Sequence, residues 1–310
     1  MDRLLVNIDF KHDNSSLIEK AVNLAEQHSA FLELFSCCYN RSLKHSHMFD
    51  AKQELKAEHA YVKQTEAKLE ELCLNIEALG IKTGFDASWN RHTGEGIVRK
   101  VLRFQPDLVL HSIQPHTRLG HYLFAPVDWQ LARKCPVPVL FVKQRPWGDH
   151  TRVVTCIDPL HKGDEKGALD RELIQRTREM MDDGYSELRI LHCYNTLPQE
   201  VIFDEHVVTD YEALQERVER SHFSSCDELL QEYGLSIESD MVDIIKGEAD
   251  LTISNYAKHN KIDVVVMGGV ARTILDRLLV GSTTEHVVDH VDCDVLIVKH
   301  PDFVCPVPES

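Results

Sequence analysis

The stretch Asp263–Lys299, DVVVMGGVARTILDRLLVGSTTEHVVDHVDCDVLIVK, decides the fold because it occurs twice in the chain. Its counterpart is Asp107–Lys143, DLVLHSIQPHTRLGHYLFAPVDWQLARKCPVPVLFVK, which aligns without a gap at a constant offset of 156 residues. Earlier segments also pair, since LLVNID at Leu4–Asp9 resembles RVVTCID at Arg152–Asp158. An internal repeat on this scale predicts two copies of one domain.

The length and composition fit this duplication. The chain has 310 residues, of which 43% are hydrophobic, so each half can bury its own core. The segment Lys143–Arg152, KQRPWGDHTR, places proline and glycine after the last strand of the first copy. It predicts a boundary that gives domains of 1–147 and 148–310.

Each copy reads as strands alternating with helices. A capping box of Ser16 with Glu19 is expected to start the first helix. In the second copy, short apolar runs predict strands and longer amphipathic runs predict helices. The main expected elements are strands at Arg152–Ile157, Leu188–Tyr194 and Ile237–Val242 and helices at Leu169–Met181 and Tyr211–Tyr233. This alternation predicts an α/β fold with a parallel sheet covered on both faces, and a ligand site at the carboxyl ends of the strands.

Bulk properties exclude several classes of partner. The net charge of -16 argues against nucleic acid or an anionic membrane surface as the main partner. Nine cysteines without a CxxC pair indicate reduced thiols. The strand-like N-terminus leaves no room for a signal peptide, and no apolar run approaches the roughly 18 residues of a membrane span. We therefore expect a soluble, cytoplasmic protein.

Two glycine-containing segments of the second copy could bind phosphate. Gly268 and Gly269 follow a buried strand, where glycine permits positive φ and a close approach of backbone amides to a ligand. Gly281 precedes two hydroxyl residues at a predicted helix start, where unsatisfied amides favour an anion. An alternative explanation needs no ligand, because Ser282 with Glu285 fits a capping box and Gly281 a turn.

The same residues resemble the nucleotide signature of the universal stress proteins, G-x2-G-x9-G-[S/T]. Gly268, Gly281 and Ser282 match this pattern, while Ala271 stands in place of the second glycine. The resemblance covers essentially the whole chain as two tandem copies. PVDWQLARKCPVPVLFVKQRPW, at Pro126–Trp147, is particularly similar to the tandem universal stress protein E group of Gram-negative bacteria.

The resemblance implies two tandem Rossmann-like domains of the HUP type. Each would hold a five-stranded parallel sheet with helices on both faces, and the two would pack as a pseudo-dimer. The implied ligand is ATP, ADP or AMP, with or without Mg²⁺, bound in the second domain as a regulatory ligand. The implied assembly is a monomeric pseudo-dimer or a higher homo-oligomer, with no nucleic acid bound and no membrane span.

The resemblance also implies site residues by position. Asp158 would contact the ribose or adenine, His192 and Cys193 would face the base, and Arg272 is close enough in sequence to supply a cation. The remaining implied contacts, along the ribose and phosphates, are Met267, Gly268, Ala271, Gly281, Ser282 and Thr283. The methyl group of Ala271 is expected to narrow the pocket.

The first copy lacks this signature. Its glycine positions correspond to other residues, and the prolines among them remove backbone donors. Asp128 would place a carboxylate where a phosphate would lie. The corresponding positions are Ser112, Pro115, Ala125 and Pro126. We expect the first copy not to bind ATP in the manner of the family.

Two further possibilities stay open at this point. No Ser/His/Asp nucleophile arrangement is visible, so we expect regulatory binding rather than a dedicated enzyme, with slow ATP hydrolysis as one alternative and a small-metabolite site in the first domain as another. Histidines and cysteines cluster in two places, but their spacings match no standard zinc motif. These are Cys37, Cys38, His45 and His47, and His111, His116 and His121.

Overall fold

The structure is a computed structural model that describes residues 1–44, 50–114, 126–148, 150–161, 164, 167–181, 186–195, 211–269 and 281–309. Its contacts divide the chain into two compact units. The first comprises Met1–Pro146 with Asp302–Ser310, and the second comprises Trp147–Pro301. The domain boundary between residues 147 and 148 stays a prediction.

Strands and helices alternate along the first unit. Its strands are β1 (Arg3–Asn7), β2 (Phe31–Cys38), β3 (Thr83–Trp89), β4 (Leu108–Ser112) and β5 (Val139–Val142). Its helices are α1 (Ser15–His28), α2 (Arg41–Lys44), α3 (Ala51–Glu77), α4 (Thr93–Phe104) and α5 (Pro126–Lys134).

The second unit repeats this plan. Its strands are β6 (Thr151–Ile157), β7 (Ser186–Tyr194), β8 (Val242–Lys246), β9 (Val264–Gly268) and β10 (Asp294–Val298). Its helices are α6 (Ala168–Met180), α7 (Tyr211–Gln231), α8 (Ala249–His259) and α9 (Ser282–His290). Among the helices described, none is both long and apolar enough to cross a membrane.

The strands of each unit form a parallel sheet with the same order. In the first unit the order is β3-β2-β1-β4-β5. In the second it is β8-β7-β6-β9-β10. The direction of strand addition reverses between β1 and β4 and between β6 and β9, which makes each of these places a topological switch point. The predicted tandem α/β fold is confirmed.

Both faces of each sheet are covered. Leu4, Leu5 and Val6 of β1 are fully buried, as are the consecutive valines Val264–Val266 of β9. Neighbouring residues of a strand point to opposite faces, so continuous burial requires packing on both sides. The apolar runs that predicted these strands therefore form the two cores.

The capping box predicted for the first helix is wrong. Helix α1 begins at Ser15, and its N-cap residue Asn14 makes no side-chain capping bond. Ser16 therefore lies inside the helix, where its Oγ donates a hydrogen bond to the carbonyl oxygen of Lys143 at 3.1 Å. The hydroxyl ties the first helix to the chain just beyond β5.

The strand predicted at Ile237–Val242 lies further along the chain, because β8 begins at Val242. The polar residues before it form turns instead. The amide of Ser239 donates to the carbonyl of Ser236 at 3.0 Å, and the amide of Val242 to that of Ser239 at 2.9 Å. Ile237 packs against a core cluster of the second unit from this turn. Its apolar character therefore reflects packing rather than strand formation.

Candidate functional site

A cavity of about 180 Å³ lies at the switch point of the second unit. The ends of β6, β7 and β9 and the start of α9 contribute to its walls. Parallel strands present their carboxyl ends at one edge of the sheet, which is where α/β folds bind ligands. The residues of the predicted site that line it are Asp158, Cys193, Met267, Gly268, Gly281, Ser282 and Thr283. Ala271 and Arg272 lie outside the described residues.

The N-terminus of α9 supplies the anion-binding features of this cavity. The helix begins at Ser282, and its N-cap residue is Gly281 with φ of -66°. Ser282 is therefore the first helical residue rather than the cap, so the alternative capping box with Glu285 does not form. Glycine at the cap has no side chain that could occupy the first-turn amides, which point along the positive end of the helix dipole. Thr284 Oγ1 joins the two glycine segments by donating to the carbonyl of Gly268 at 3.1 Å.

The glycines of the motif do not use positive φ, contrary to the expectation from the sequence. Gly281 has φ of -66°, and neither Gly268 nor Gly269 is among the described glycines with positive φ. Gly268 has a steric reason instead. A Cβ atom there would lie 2.5 Å from Cδ2 of Leu169 on α6. The absence of a side chain lets the end of β9 pack directly against that helix.

Replacing Gly268 with alanine tests this packing. We expect Gly268→Ala to destabilise the chain by about 1 kcal/mol, because the end of the Leu169 side chain must move to accommodate the methyl group. Urea denaturation measures the change. In a double-mutant cycle with Leu169→Ala the two effects should be non-additive. Additive effects would mean that the contact with Leu169 does not explain the glycine.

A second helix N-terminus at this cavity already carries an anion. The carboxylate of Asp164 accepts hydrogen bonds from the backbone amides of Ala168 and Leu169, at 2.8 and 2.7 Å, at the start of α6. Asp164 is buried and lines the same cavity. Of these two helix starts, α6 is neutralised by its own chain, which leaves α9 for an external anion.

Asp158 carries a negative charge within the cavity. Its Oδ2 lies 3.5 Å from Nδ1 of His161. Burial raises the pKa of Asp158, but the hydrogen bond from His161 and the proximity of His192 and His222 outweigh it, and the pKa falls below its ordinary value. A carboxylate accepts hydrogen bonds only, so this end of the cavity suits hydroxyl or amino donors of a ligand.

His192 lies behind the cavity and is not among the residues that line it. It is 1% exposed. Its Nδ1 donates to the carbonyl of Ile157 at 2.9 Å, and its Nε2 shares a hydrogen bond of 2.8 Å with Nδ1 of His222. The ring of Tyr194 stacks on His222 with centroids 5.0 Å apart. His192 thus lies in β7 and hydrogen bonds to the last residue of β6, and its contact with a base stays a prediction.

Asp170 is a site residue that sequence reasoning missed. Its Oδ1 accepts from the amide of Asp158 at 2.9 Å, while its buried Oδ2 has no hydrogen-bond partner among the described residues. Burial, together with the charges of Asp158 and Asp164, raises the pKa of Asp170 to about 7. Asp170 lies inside a helix and belongs to no recognisable sequence motif. It reaches the cavity wall because α6 packs against the sheet.

The thiols of Cys156 and Cys193, near this site, are protonated and unreactive at neutral pH. Burial raises the pKa of Cys193 to about 12 and, still more strongly, that of Cys156 above its ordinary value. Nucleophilic attack and metal binding require the thiolate, which neither residue provides at neutral pH. The cavity is therefore equipped to bind polar and anionic groups rather than to form a covalent intermediate.

The first unit has a larger cavity, of about 320 Å³, at its own switch point. Size does not make it the better phosphate site, because Asp128 holds the position that Thr284 holds in the second unit. Asp128 Oδ1 accepts from Nε2 of His111 at 2.7 Å, and Nδ1 of His111 accepts from the side-chain amide of Asn7 at 2.9 Å. A buried carboxylate and imidazole thus replace the hydroxyl of Thr284 and the side chain of Met267 in the second cavity.

The candidate metal clusters gain no support within the described part of the chain. There, no three histidine, cysteine or acidic residues lie close enough to hold a metal ion. Burial raises the pKa of Cys37 to about 11. Outside the described residues lie His45, His47, His116 and His121, together with Pro115 and Ala125 of the degenerate signature.

Comparison with known proteins agrees with this architecture. The model of the universal stress protein family matches residues 1–143 and 152–299. Over 310 residues the chain is 26% identical to universal stress protein E of Escherichia coli (strain K12), with 98% of this chain and 96% of that protein covered. Identity to universal stress protein E of Photorhabdus laumondii is also 26%, over 308 residues, with the same coverage.

Solved structures share the fold. A functionally unknown protein of Pseudomonas aeruginosa PAO1 superposes with a TM-score of 0.71 at 24% identity, covering 97% of this chain and 93% of that one. A universal stress protein of Archaeoglobus fulgidus gives a TM-score of 0.65 at 15% identity, covering 96% and 98%. The two-unit arrangement of strands and helices is therefore shared along the whole chain.

Proposed function

The chain belongs to the universal stress protein family, and from that premise we propose that its second domain binds ATP or a related adenine nucleotide as a regulatory ligand. The observation that carries the proposal is the start of α9, which has a glycine as its N-cap residue and where Gly281, Ser282 and Thr283 line one cavity with Asp158. Phosphates would bind at the helix start, and hydroxyl or amino groups of the nucleoside would bind at Asp158.

Mg²⁺ would accompany the phosphates rather than occupy a site made by the protein. Among the described residues no group of three acidic, histidine or cysteine side chains could hold a metal ion. Mg²⁺ is commonly bound by one or two carboxylates together with substrate phosphates and water. A nucleotide could therefore bind together with a Mg²⁺ ion that its own phosphates coordinate.

Thermal melting with a panel of ligands tests the proposal. We expect ATP to raise the stability of the full chain by about 2.7 kcal/mol at a concentration 100 times its Kd. Adenosine and tripolyphosphate should stabilise much less, since each fills only one end of the cavity. A melting temperature unchanged by ATP, ADP and AMP would contradict nucleotide binding.

We favour regulatory binding over catalysis on two observations of the described residues beside the cavity. His192 and His222 hydrogen bond to each other, and the nearby thiols are protonated. We expect ATP to be recovered intact after prolonged incubation with the protein and Mg²⁺, as measured by chromatography. Steady accumulation of ADP, lost when the site is mutated, would support the slow ATPase instead.

The first domain has a second candidate function as a site for a different small molecule. Its cavity of about 320 Å³ falls within the size range of ligand pockets, and the carboxylate of Asp128 disfavours phosphates there. Mass spectrometry of compounds that co-purify with the chain tests this role. Cytoplasmic location and a pseudo-dimeric monomer or higher homo-oligomer remain part of the proposal.

A further inference from the structure

The carboxyl group of Asp170, in the wall of the second cavity, has a different environment at each of its two oxygens. Asp170 lies in the first turn of α6 and is 4% exposed. Its Oδ1 accepts a hydrogen bond from the backbone amide of Asp158 at 2.9 Å, while no described residue hydrogen bonds to its buried Oδ2. Burying a charged group without a partner costs far more than burying a neutral one. The geometry therefore favours the protonated carboxyl, which holds the Asp158 amide without carrying a charge.

Two other carboxyl groups line the same cavity. Asp158 and Asp164 both lie between β6 and α6. Burial, and after it the charges of these two groups, raises the pKa of Asp170 to about 7, while His161 from the same loop acts in the opposite direction. Asp170 therefore ionises near neutral pH, and its ionisation brings one more negative charge to a cavity that already holds two carboxyl groups.

The groups that face Asp170 from α7 and from the residues just after it are neutral near pH 7. Burial raises the pKa of the Cys226 thiol to about 12 and that of the Tyr233 hydroxyl above its ordinary value. Neither group supplies a positive charge that could compensate an ionised Asp170. Of the groups named here, His161 alone can do so.

We propose that Asp170 positions Asp158 for the nucleotide and makes nucleotide binding depend on the proton that Asp170 holds. This inference rests on the proposed function and adds to it the group that controls its pH dependence. The protonated carboxyl keeps the Asp158 amide in place, whereas the ionised carboxylate repels the phosphates of the ligand. Bound phosphates in turn favour the protonated form, so ATP and the proton strengthen the binding of one another.

Isothermal titration calorimetry with ATP at pH 6 and pH 8 tests the proton linkage. At a separation of about 10 Å and an effective dielectric constant near 20, one negative charge on the ligand raises the proton affinity of Asp170 about tenfold. We therefore expect the Kd of the wild type to increase from pH 6 to pH 8 about fivefold more than the Kd of Asp170→Asn. ATP itself titrates in this range, but both proteins meet the same ligand.

The asparagine variant isolates the charge, because its side-chain oxygen still accepts from the Asp158 amide and cannot ionise. At pH 8 it should bind ATP more tightly than the wild type does. At pH 7 the wild type should take up on the order of half a proton more per ATP than the variant. Titrations in two buffers with different ionisation enthalpies measure this uptake.

Asp170→Ala tests the positioning of Asp158, because it removes the acceptor for the amide. We expect it to bind ATP about tenfold more weakly than Asp170→Asn at both pH values. Equal ATP binding by the alanine and asparagine variants would overturn the positioning role.

The matched control is Glu172→Gln, which removes a carboxylate from the same helix. Glu172 accepts from Nε of Arg176 at 2.7 Å and does not line the cavity, so its variant should keep the pH profile of the wild type. Identical pH profiles for the wild type and Asp170→Asn, or an equal change in the control, would overturn this inference and leave the proposed function standing. No ATP binding by the wild type at either pH would overturn both.

Discussion

Ser282→Glu should abolish most of the affinity of the chain for ATP while leaving the fold intact. The new carboxylate would lie in the first turn of α9, where a negative charge stabilises the helix. It would also lie where we place the phosphates. At a separation of about 6 Å and an effective dielectric constant near 20, repulsion between unit charges is about 3 kcal/mol, or about 100-fold in Kd. Isothermal titration calorimetry measures the change.

Ser282→Gln is the matched control, because glutamine has the size and shape of glutamate without its charge. We expect it to weaken ATP binding far less than Ser282→Glu does. The difference between the two variants should shrink as salt is added, since Ser282 is exposed and its surroundings are screened. Equal losses in both variants would indicate a steric effect and would argue against phosphates at this helix start.

Asp170→Asn should stabilise the chain increasingly as the pH rises from about 4 to about 7. In the unfolded chain the carboxyl ionises near 3.8, whereas burial and the charges of Asp158 and Asp164 raise the pKa of Asp170 to about 7 in the fold. Between these values the folded state keeps a proton that the unfolded state loses, so wild-type stability falls with rising pH. The full effect is up to about 4 kcal/mol above pH 7. Asparagine resembles the protonated carboxyl and removes this dependence.

Urea denaturation across this pH range measures the effect, and Asp158→Asn provides a control of opposite sign. The pKa of Asp158 is lowered in the fold, so its carboxylate contributes stability above its unfolded pKa, and that contribution is lost in acid. Its variant should be less stable than the wild type at neutral pH and should approach it as the pH falls. A stability gain from Asp170→Asn that does not change between pH 5 and pH 8 would contradict the raised pKa of Asp170.

The fold could be predicted well from the sequence because the repeat supplies two copies of most elements, which can be compared with each other. The offset of 156 residues pairs Asp107–Lys143 with Asp263–Lys299, and both segments contain the last two strands of their sheets. Buried parallel strands are continuous apolar runs, so they are easy to recognise in a sequence. The start of β8 was predicted too early in the chain. Ile237 packs on the core from a turn, and its apolar side chain was taken as evidence for a strand.

The candidate site could be predicted only for residues that belong to a local sequence pattern. Strand ends and a glycine before hydroxyl residues predicted Gly268, Gly281 and Ser282, and the resemblance to the family predicted Asp158. Asp170 could not be found in this way, because its pKa depends on burial and on carboxylates that approach it only in the fold. The sequence also could not show why position 268 holds glycine, because Leu169, which packs against it, lies in a distant part of the chain. The packing of the two domains as a pseudo-dimer stays a prediction.

The stoichiometry of ATP binding to the full chain tests the central claim most directly. Both domains have a cavity at the switch point of the sheet. Among the described residues, Gly281, Ser282 and Thr283 at the start of α9 line the second cavity, whereas Asp128 lines the first. Isothermal titration calorimetry of the wild-type chain should therefore give one ATP per chain, and that site should be lost in Ser282→Glu. Two equivalents of ATP, no binding, or one site that survives intact in Ser282→Glu would contradict it.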